Sequence, residues 1–298
     1  MNYNGLSDTV ELLNSIRKFA YPNLEIFVVD NASKENPEKY IATHFPEVIF
    51  IRSEKNLGFA GGNNLAVAKA AGEYLFFINN DTEITAGCIE RLVLMFDKRP
   101  KLGVVSPMLC YFNESDKQNG DLIQYAGMTA VNPITARNKI IGEKVRDHGQ
   151  FNLSSPTSYA HGAAMMVKRE VIEAVGTMYE NFFLYYEELD WCERIRKAGY
   201  EIFIEPNARV YHKESASVGE ASTLKTYYMN RNRILFMRRN FSKKKLIAFS
   251  AFMACATIPK NLYGFFITGR FNHIAAFTKA VRWNLRDVRG KSTTKVEF

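Results

Sequence analysis

Three observations predict an α/β fold, with a mostly parallel sheet flanked by helices and a helical, basic appendage at the C-terminal end. Short apolar runs of strand length alternate with segments of helical spacing through the first two thirds of the chain. Polar clusters rich in Asp and Asn follow several of those runs, where open α/β sheets bind their ligands. Charge divides sharply: residues 225–298 hold 16 Lys and Arg against two acids, Asp287 and Glu297, whereas residues 1–224 carry a net charge of −6. The predicted division is therefore a body over 1–224 and a basic, amphipathic, membrane-associating tail over 225–298.

The 298 residues are 47% hydrophobic and 23% charged, which excludes a disordered or collagen-like chain. Four scattered cysteines, Cys88, Cys110, Cys192 and Cys255, form no CxxC pair. They argue against a disulfide scaffold and a cysteine zinc site, and they fit a reducing cytosol. No charged-then-apolar leader opens the sequence.

The elements follow in order. Residues 9–20 have helical spacing, and 24–29 (LEIFVV) form a strand ending at Asp30. A helix is predicted at 38–44, a strand at 47–51 and a helix at 61–71. The run 74–78 (YLFFI) is a strand closed by Asn79-Asn80-Asp81. Residues 84–96 read as a helix and 103–106 as a strand. Residues 113–158 are polar and irregular, a loop or β-ribbon over the site. A strand at 163–167 and a helix at 168–174 follow, then an amphipathic helix at 187–198 stopped by Gly199. Strands at 201–204 and 209–212 complete the body. The chain begins in a loop, Met1-Asn2-Tyr3-Asn4-Gly5, with no apolar strand feeding it, so the first strand of the sheet is expected to be missing.

Chemistry-bearing residues stand at these strand ends. Asp81 offers a hard oxygen to a divalent cation, although Asn79-Asn80-Asp81-Thr82 reads equally as a turn and helix cap. The stretch 56–64 (NLGFAGGNN) opens a helix and could approach a phosphate closely, or form a loop and cap. It is not GxGxxG, which disfavours a dinucleotide fold. The densest signal is Phe182 to Trp191, where Glu187, Glu188 and Asp190 crowd beside five aromatics. A carboxylate against aromatic walls can be raised in pKa and act as a base; the alternative is a solvated first helical turn.

Taken together, Asn2 to Gly5, Val29 to Ser33, Asn56 to Asn64, Asn79 to Asp81, Gly162-Ala163 and Phe183 to Gly199 resemble, in order, family 2 of the inverting glycosyltransferases, in its bacterial rhamnosyltransferase-like branch. The resemblance covers residues 1–215. It implies the GT-A nucleotide-diphospho-sugar transferase fold and transfer of a sugar from a dTDP-rhamnose or UDP-sugar type of donor to a hydroxyl of a cell-surface glycan or lipid-linked acceptor. It also implies a divalent cation, Mg²⁺ or Mn²⁺. Tyr3, Asn4, Asp30, Asn31, Asn56, Gly58, Gly61, Asn63 and Asn80 would line the nucleotide. Tyr3 would stack on the base and Asp30 would bond its edge. Asp81 matches the last acid of the family's metal motif, whose first acid is here Asn79, and His212 would join it near Ser215 and Ser217. Glu188 falls on the catalytic base, with Glu187 and Asp190 as rivals, and Trp191 and His161 would face the acceptor. The alternative function is a non-catalytic sugar-nucleotide-binding or scaffold protein of the same fold.

In the tail, apolar runs at 246–258 and 262–268 are interrupted by Pro259-Lys260-Asn261. Each is shorter than the ~20 residues of a membrane span. A helix pair lying on an anionic membrane is expected, peripheral on the inner face of the cytoplasmic membrane; a packed helical cap is the alternative. No nucleic-acid recognition module appears, and nucleic acid is not an expected partner.

Overall fold

The computed structural model describes residues 1–19, 21–112, 122–213 and 222–286. Helix α1 (Leu6–Lys18) is followed by β1 (Ile26–Asp30), α2 (Glu38–His44), β2 (Val48–Arg52), α3 (Gly58–Val67), β3 (Tyr74–Ile78), β4 (Thr82–Ile84) and α4 (Cys88–Lys98). Next come β5 (Leu102–Tyr111), the short ribbon strands β6 (Leu122–Tyr125), β7 (Val145–Arg146) and β8 (Ser155–Pro156), then β9 (Ala164–Lys168), α5 (Arg169–Val175), α6 (Glu187–Lys197) and β10 (Glu201–His212). Four C-terminal helical elements close the chain: α7 (Thr223–Asn240), α8 (Lys243–Phe252), α9 (Ile258–Ile267) and α10 (Phe271–Arg286).

The α/β class is as predicted, but the sheet is mixed rather than mostly parallel. The main sheet runs β3-β9-β5-β10-β4, with β6 and β7 extending from β5 and β8 resting on β10. Only β5–β10 is parallel in it; β9 lies antiparallel to both β3 and β5. The cause is the connection. β9 is reached through the β6–β8 ribbon, and among the described residues no covering helix returns the chain to the sheet's starting end, as a parallel pair needs. β4 was not foreseen. Gly87, at φ 71°, starts α4 only after it. The two strands predicted at 201–212 are one, irregular between Glu205 and Arg209. Its neighbour β5 is buried almost end to end and forms the centre of the core, with Trp191, Phe77 and Ile195 around it.

β1 and β2 form a separate parallel pair, from Ile26↔Val48 to Asp30↔Arg52. Between β1 and β3 lies a cleft of about 510 Å³, lined by Ile26, Val29, Leu75, Phe77, Ile84 and Met166 among others. On this side β1 carries a single parallel bridge, Asn2↔Asp30.

The C-terminal helices share the body's core. Leu235, Phe236 and Met237 of α7 and Phe249 of α8 are buried in the same apolar cluster as the sheet. The two apolar runs of the tail are not separate short pieces. They form one continuous helix over Lys243–Ile267, long and apolar enough by length and composition to cross a membrane. A π-type turn, Met253–Thr257, precedes Pro259, which falls in the first turn of α9. The missing proline N–H costs little there, because the wider turn has already shifted the hydrogen-bond ladder. α10 packs along α7; Asn284 Nδ2 donates to Arg231 O at 2.9 Å.

Candidate active site

The N-terminal loop is stitched to the end of β1. Asn2 N donates to Val29 O at 2.7 Å and Asn31 N to Asn2 O at 2.8 Å. Asp30 is fully buried. Its oxygens accept from Asn2 Nδ2 (2.7 Å), Ser33 Oγ (2.5 Å), Ser33 N (3.2 Å) and Arg52 (3.0 Å). It therefore holds the loop from beneath, and the base-edge contact expected of it has no exposed oxygen to make it. Tyr3, 44% exposed, stands free for stacking. Asn4 accepts from Lys34 N and donates its own N–H to Ser33 Oγ.

Asn31 and Asn56 likewise build the loop into α3. Asn31 Nδ2 donates to Asn56 Oδ1 and Gly58 O, both at 3.1 Å, and Asn31 Oδ1 accepts from Leu57 N at 2.9 Å. Asn56 Oδ1 accepts from Gly58 N, and Phe59 N donates to Phe183 O. The amides of Leu57, Gly58 and Phe59, at the start of α3, are thus satisfied internally, so this end is a packed cap and not a phosphate cradle. Gly58 is required: at φ 73°, a Cβ would sit 2.2 Å from Phe183 O. Gly61 is buried within α3, and Asn63 Nδ2 bonds back to Phe59 O. Asn80 Nδ2 donates to Gly5 O and Thr9 Oγ1, tying α1 to the end of β3.

Asp81 and His212 are brought side by side by sheet register. β4 and β10 pair antiparallel with Thr82 opposite His212, and His212 Nε2 lies 3.2 Å from Asp81 Oδ1. Gln124 Oε1, 2.8 Å away, takes the Nδ1 side of the ring. Nε2 and the carboxylate oxygen thus face one another, an arrangement that a cation between them would stabilise. The Asp81 carboxylate is the hard oxygen donor that Mn²⁺ and Mg²⁺ take, and the remaining ligands would come from a diphosphate. Ser215 and Ser217 lie outside the described residues. His161 Nδ1 accepts from Ala163 N at 3.1 Å, and its ring centroid is 6.2 Å from that of His212. Burial, then His212, lowers its pKa to about 3, so the ring is neutral and its proton sits on Nε2.

Glu188 adjoins this group. A Cβ on Gly162 would lie 3.7 Å from Glu188 Cγ and 3.8 Å from the Phe59 ring. Burial raises the Glu188 carboxyl above its ordinary value. Glu187 is 3% exposed with Oε2 unpartnered, and burial, then Glu188, raises it well above that value. Asp190 is corrected as a rival base. It is fully buried and ion-paired to Arg194 (3.0 Å) and Arg239 (2.9 Å), and it accepts from Asn240 Nδ2 (2.8 Å). These partners hold it as a structural anion. Trp191 is corrected as an acceptor wall. It is 1% exposed, stacks edge-on to Phe77 in the core and donates Nε1–H to Gly176 O at 2.8 Å.

The model of glycosyl transferase family 2 matches residues 1–176. The chain belongs to that family. Among relatives of this glycosyltransferase, the Haloferax volcanii low-salt glycan biosynthesis hexosyltransferase Agl10 is 26% identical over 82% of this chain and 75% of its own. The Mycobacterium tuberculosis N-acetylglucosaminyl-diphospho-decaprenol L-rhamnosyltransferase is 26% identical over 66% of this chain and 68% of its own. The chain spans only 26% of the Sinorhizobium fredii protein y4gI, to which it is 28% identical. The GT-A architecture is shared with GalNAc-T7, solved with UDP, GalNAc and Mn²⁺ (TM-score 0.58, 17% identity, 76% of this chain and 48% of that one). It is shared too with the Pyrobaculum calidifontis mannosyltransferase PcManGT, solved with GDP-Man and Mn²⁺ (TM-score 0.55, 17% identity, 98% and 74%).

The family match of this glycosyltransferase ends before α6, so the glutamates are placed by packing that the match does not cover. The loop ahead of α6 holds three non-glycine residues at positive φ: Phe183 (64°), Tyr185 (70°) and Tyr186 (76°). α7 clamps it. Asn232, fully buried, donates from Nδ2 to Phe182 O (2.8 Å), Leu184 O (2.7 Å) and Tyr185 O (2.8 Å). Arg231 donates to Phe182 O at 2.6 Å and bonds Asn232 Oδ1. Sequence reasoning missed both residues. Their only signal is an Asn-Arg pair set among apolar and aromatic residues of a helix.

Proposed function

We propose that this glycosyltransferase moves a sugar, with inversion, from a nucleotide-diphospho-sugar of the dTDP-rhamnose or UDP-sugar type to a hydroxyl of a cell-surface glycan or lipid-linked acceptor. The observation that carries the reading is Glu188. Its raised carboxyl lies against Gly162, next to His161, whose ring neighbours the Asp81–His212 pair. A raised carboxylate is the stronger base. Glu188 takes the acceptor proton as the hydroxyl oxygen attacks the anomeric carbon, and a single displacement inverts that centre. Neutral His161 keeps Nε2–H as a donor for a sugar or phosphate oxygen. Asp81 and His212 would hold Mg²⁺ or Mn²⁺, which when bound neutralises charge on a departing diphosphate. The exposed Tyr3 ring stacks on the base.

The names of the relatives support this reading. The M. tuberculosis protein is a rhamnosyltransferase named for a diphospho-decaprenol acceptor, and a Shigella flexneri relative is a dTDP-rhamnosyl transferase. We read the enzyme as cytoplasmic and peripheral on the inner face of the membrane, where it would meet a lipid-linked acceptor. The test is release of nucleoside diphosphate from dTDP-rhamnose and UDP-sugars with a lipid-linked acceptor and Mn²⁺, abolished by chelation. Glu188→Gln is expected to lower the rate by roughly 10²–10⁴-fold with donor affinity unchanged. Binding without turnover in the wild type would favour the non-catalytic reading, and an undiminished Glu188→Gln rate would remove Glu188 as the base.

A further inference from the structure

The continuous α8–α9 helix is buried on one side and bare on the other. Phe249, Met253 and Thr257 face the protein, at 1%, 4% and 4% exposure. On the outer side Ile247 and Tyr263 are 69% and 68% exposed. At the turn into α10, Phe266, Ile267 and Phe271 are 64%, 61% and 62% exposed, and Phe266 and Phe271 pack edge to face, 6.2 Å between centroids. Small uncharged residues, Ala251 and Cys255, continue the bare strip between these ends. Large apolar side chains gathered on one outer side mark an interaction surface, unlike single exposed residues scattered over a protein.

The charges around this strip have one sign. Lys243, Lys244 and Lys245 are exposed at one end, with Lys260 and Arg270 exposed near the other. No Asp or Glu occurs anywhere between Lys225 and Arg286. A protein partner or a second copy of this face would have to supply every counter-charge. The face cannot supply it to itself. An anionic lipid surface supplies both the apolar and the charged complement.

We propose that α8–α9 lies flat in the interface of an anionic membrane, with Ile247, Tyr263, Phe266, Ile267 and Phe271 inserted and the five cations at headgroup level. The inference deepens the membrane-side reading above. The helix does not span the bilayer. Its inner side packs in the same core as the sheet, and Lys260 sits within its length, so lipid cannot surround it. Insertion and charge make separable demands. Screening shortens to about 3 Å at 1 M salt and removes the charge contribution, about fivefold per basic residue near the surface, but leaves the inserted rings in place.

The test is co-sedimentation of the full chain with vesicles of phosphatidylcholine alone and with 30% phosphatidylglycerol, at low salt and at 1 M NaCl. Wild type is expected to bind the anionic vesicles and to remain partly bound in 1 M NaCl. Phe266→Glu with Ile267→Glu, at exposed positions, is expected to lower binding at least tenfold without a change in melting temperature. Lys243→Glu with Lys244→Glu and Lys245→Glu should lower the affinity at low salt only. Failure of wild type to sediment with anionic vesicles, complete release by salt, or unchanged binding of the Phe266/Ile267 variant would each overturn the proposal. So would concentration-dependent dimerisation that the same variant abolishes. Turnover of donor in detergent-free solution is measured on the same samples. Its presence or absence judges the transferase reading separately.

Discussion

Removing the Asn232 amide tests whether α7 positions Glu188, the base proposed above, or merely packs beneath it. Three non-glycine residues at positive φ, Phe183, Tyr185 and Tyr186, store roughly 1–2 kcal/mol each. The two N–H groups of the Asn232 amide, shared among three carbonyls, and two bonds from Arg231 oppose that strain. Asn232→Ala strips the donors from buried carbonyls at about 1 kcal/mol or more apiece, and Phe182 O keeps its bond from Arg231, so a loss of roughly 2 kcal/mol is expected. Asn232→Asp keeps the shape but turns a carboxylate oxygen toward those carbonyls, and should cost more. For a chain of this size, 2 kcal/mol lowers the melting temperature by roughly 4–8 °C. A loop eased out of its strained path carries Glu188 with it. A displacement near 1 Å costs about 10²-fold in rate. The assay is kcat per folded molecule, measured well below the melting transition, alongside donor Kd. Expected are a kcat lowered about 10²-fold by Asn232→Ala and a donor Kd within threefold of wild type. A lowered melting temperature with unchanged kcat would show that Asn232 only packs, and would refute the positioning role.

Two further outcomes follow from burial. Glu187 has a folded pKa raised above its unfolded value, so the stability it contributes is full below the ordinary carboxylate range and is lost as pH rises through the raised value. Glu187→Gln should therefore melt higher than wild type at pH 8 and no higher at pH 4; a wild type more stable at pH 8 would reverse the sign. The second concerns the cleft of about 510 Å³ between β1 and β3. An extended apolar pentapeptide fused ahead of Met1 is expected to pair with both edges and raise the melting temperature by roughly 5–10 °C, at a net gain near 0.5 kcal/mol per residue. A polar pentapeptide should give no rise, and an equal rise from both would show that the cleft does not take a strand.

The limits of sequence reading have physical causes in particular residues. β3, α2 and α6 were legible because their periodicity, caps and stops are local. The pairing direction of β9 was not, because it depends on the path of the irregular ribbon before it. Glu188 stood out as one of three acids among aromatics, but the roles of its neighbours turned on helix phase. Trp191 lies four residues after the buried Glu187 and so shares its inward face, which puts the indole in the core. Asp190 met its cations, Arg194 and Arg239, partly from α7, nearly fifty residues away. Asp81 and His212 were linked by family resemblance alone, since only the β4–β10 register makes them neighbours. Asp30 and Asn56 carry the polar side chains a ligand would need, yet their atoms are consumed in loop construction.

Helix α7 explains why a basic C-terminal region and the loop before Glu188 belong to one molecule. Toward the site, α7 spends Arg231 and Asn232 on the carbonyls of residues 181–185. Toward the C-terminus the same helix is bonded to α10: Arg231 O accepts from Asn284, Arg238 donates to Asn284 O, and Thr226 Oγ1 meets His273 Nδ1 at 2.8 Å. α10 in turn carries α9, through Phe265 against His273 and Phe277. Every step from the exposed Phe266 to the loop before Glu188 is therefore a packed side chain or a backbone hydrogen bond, with no flexible linker between. A transferase that meets its acceptor at a surface gains from such stiffness, because the entropy of orienting site and surface is settled on folding and need not be lost again at each encounter. The acid-free composition from Lys225 to Arg286 then has a structural consequence as well as an electrostatic one. With no carboxylate of their own, α7 cations turn inward: Arg239 to the α6 anion Asp190, Arg231 to loop carbonyls and aromatic faces. The basic region is built into the body by Arg231 and Arg239, while Lys243, Lys244, Lys245, Lys260 and Arg270 leave its outer face positive.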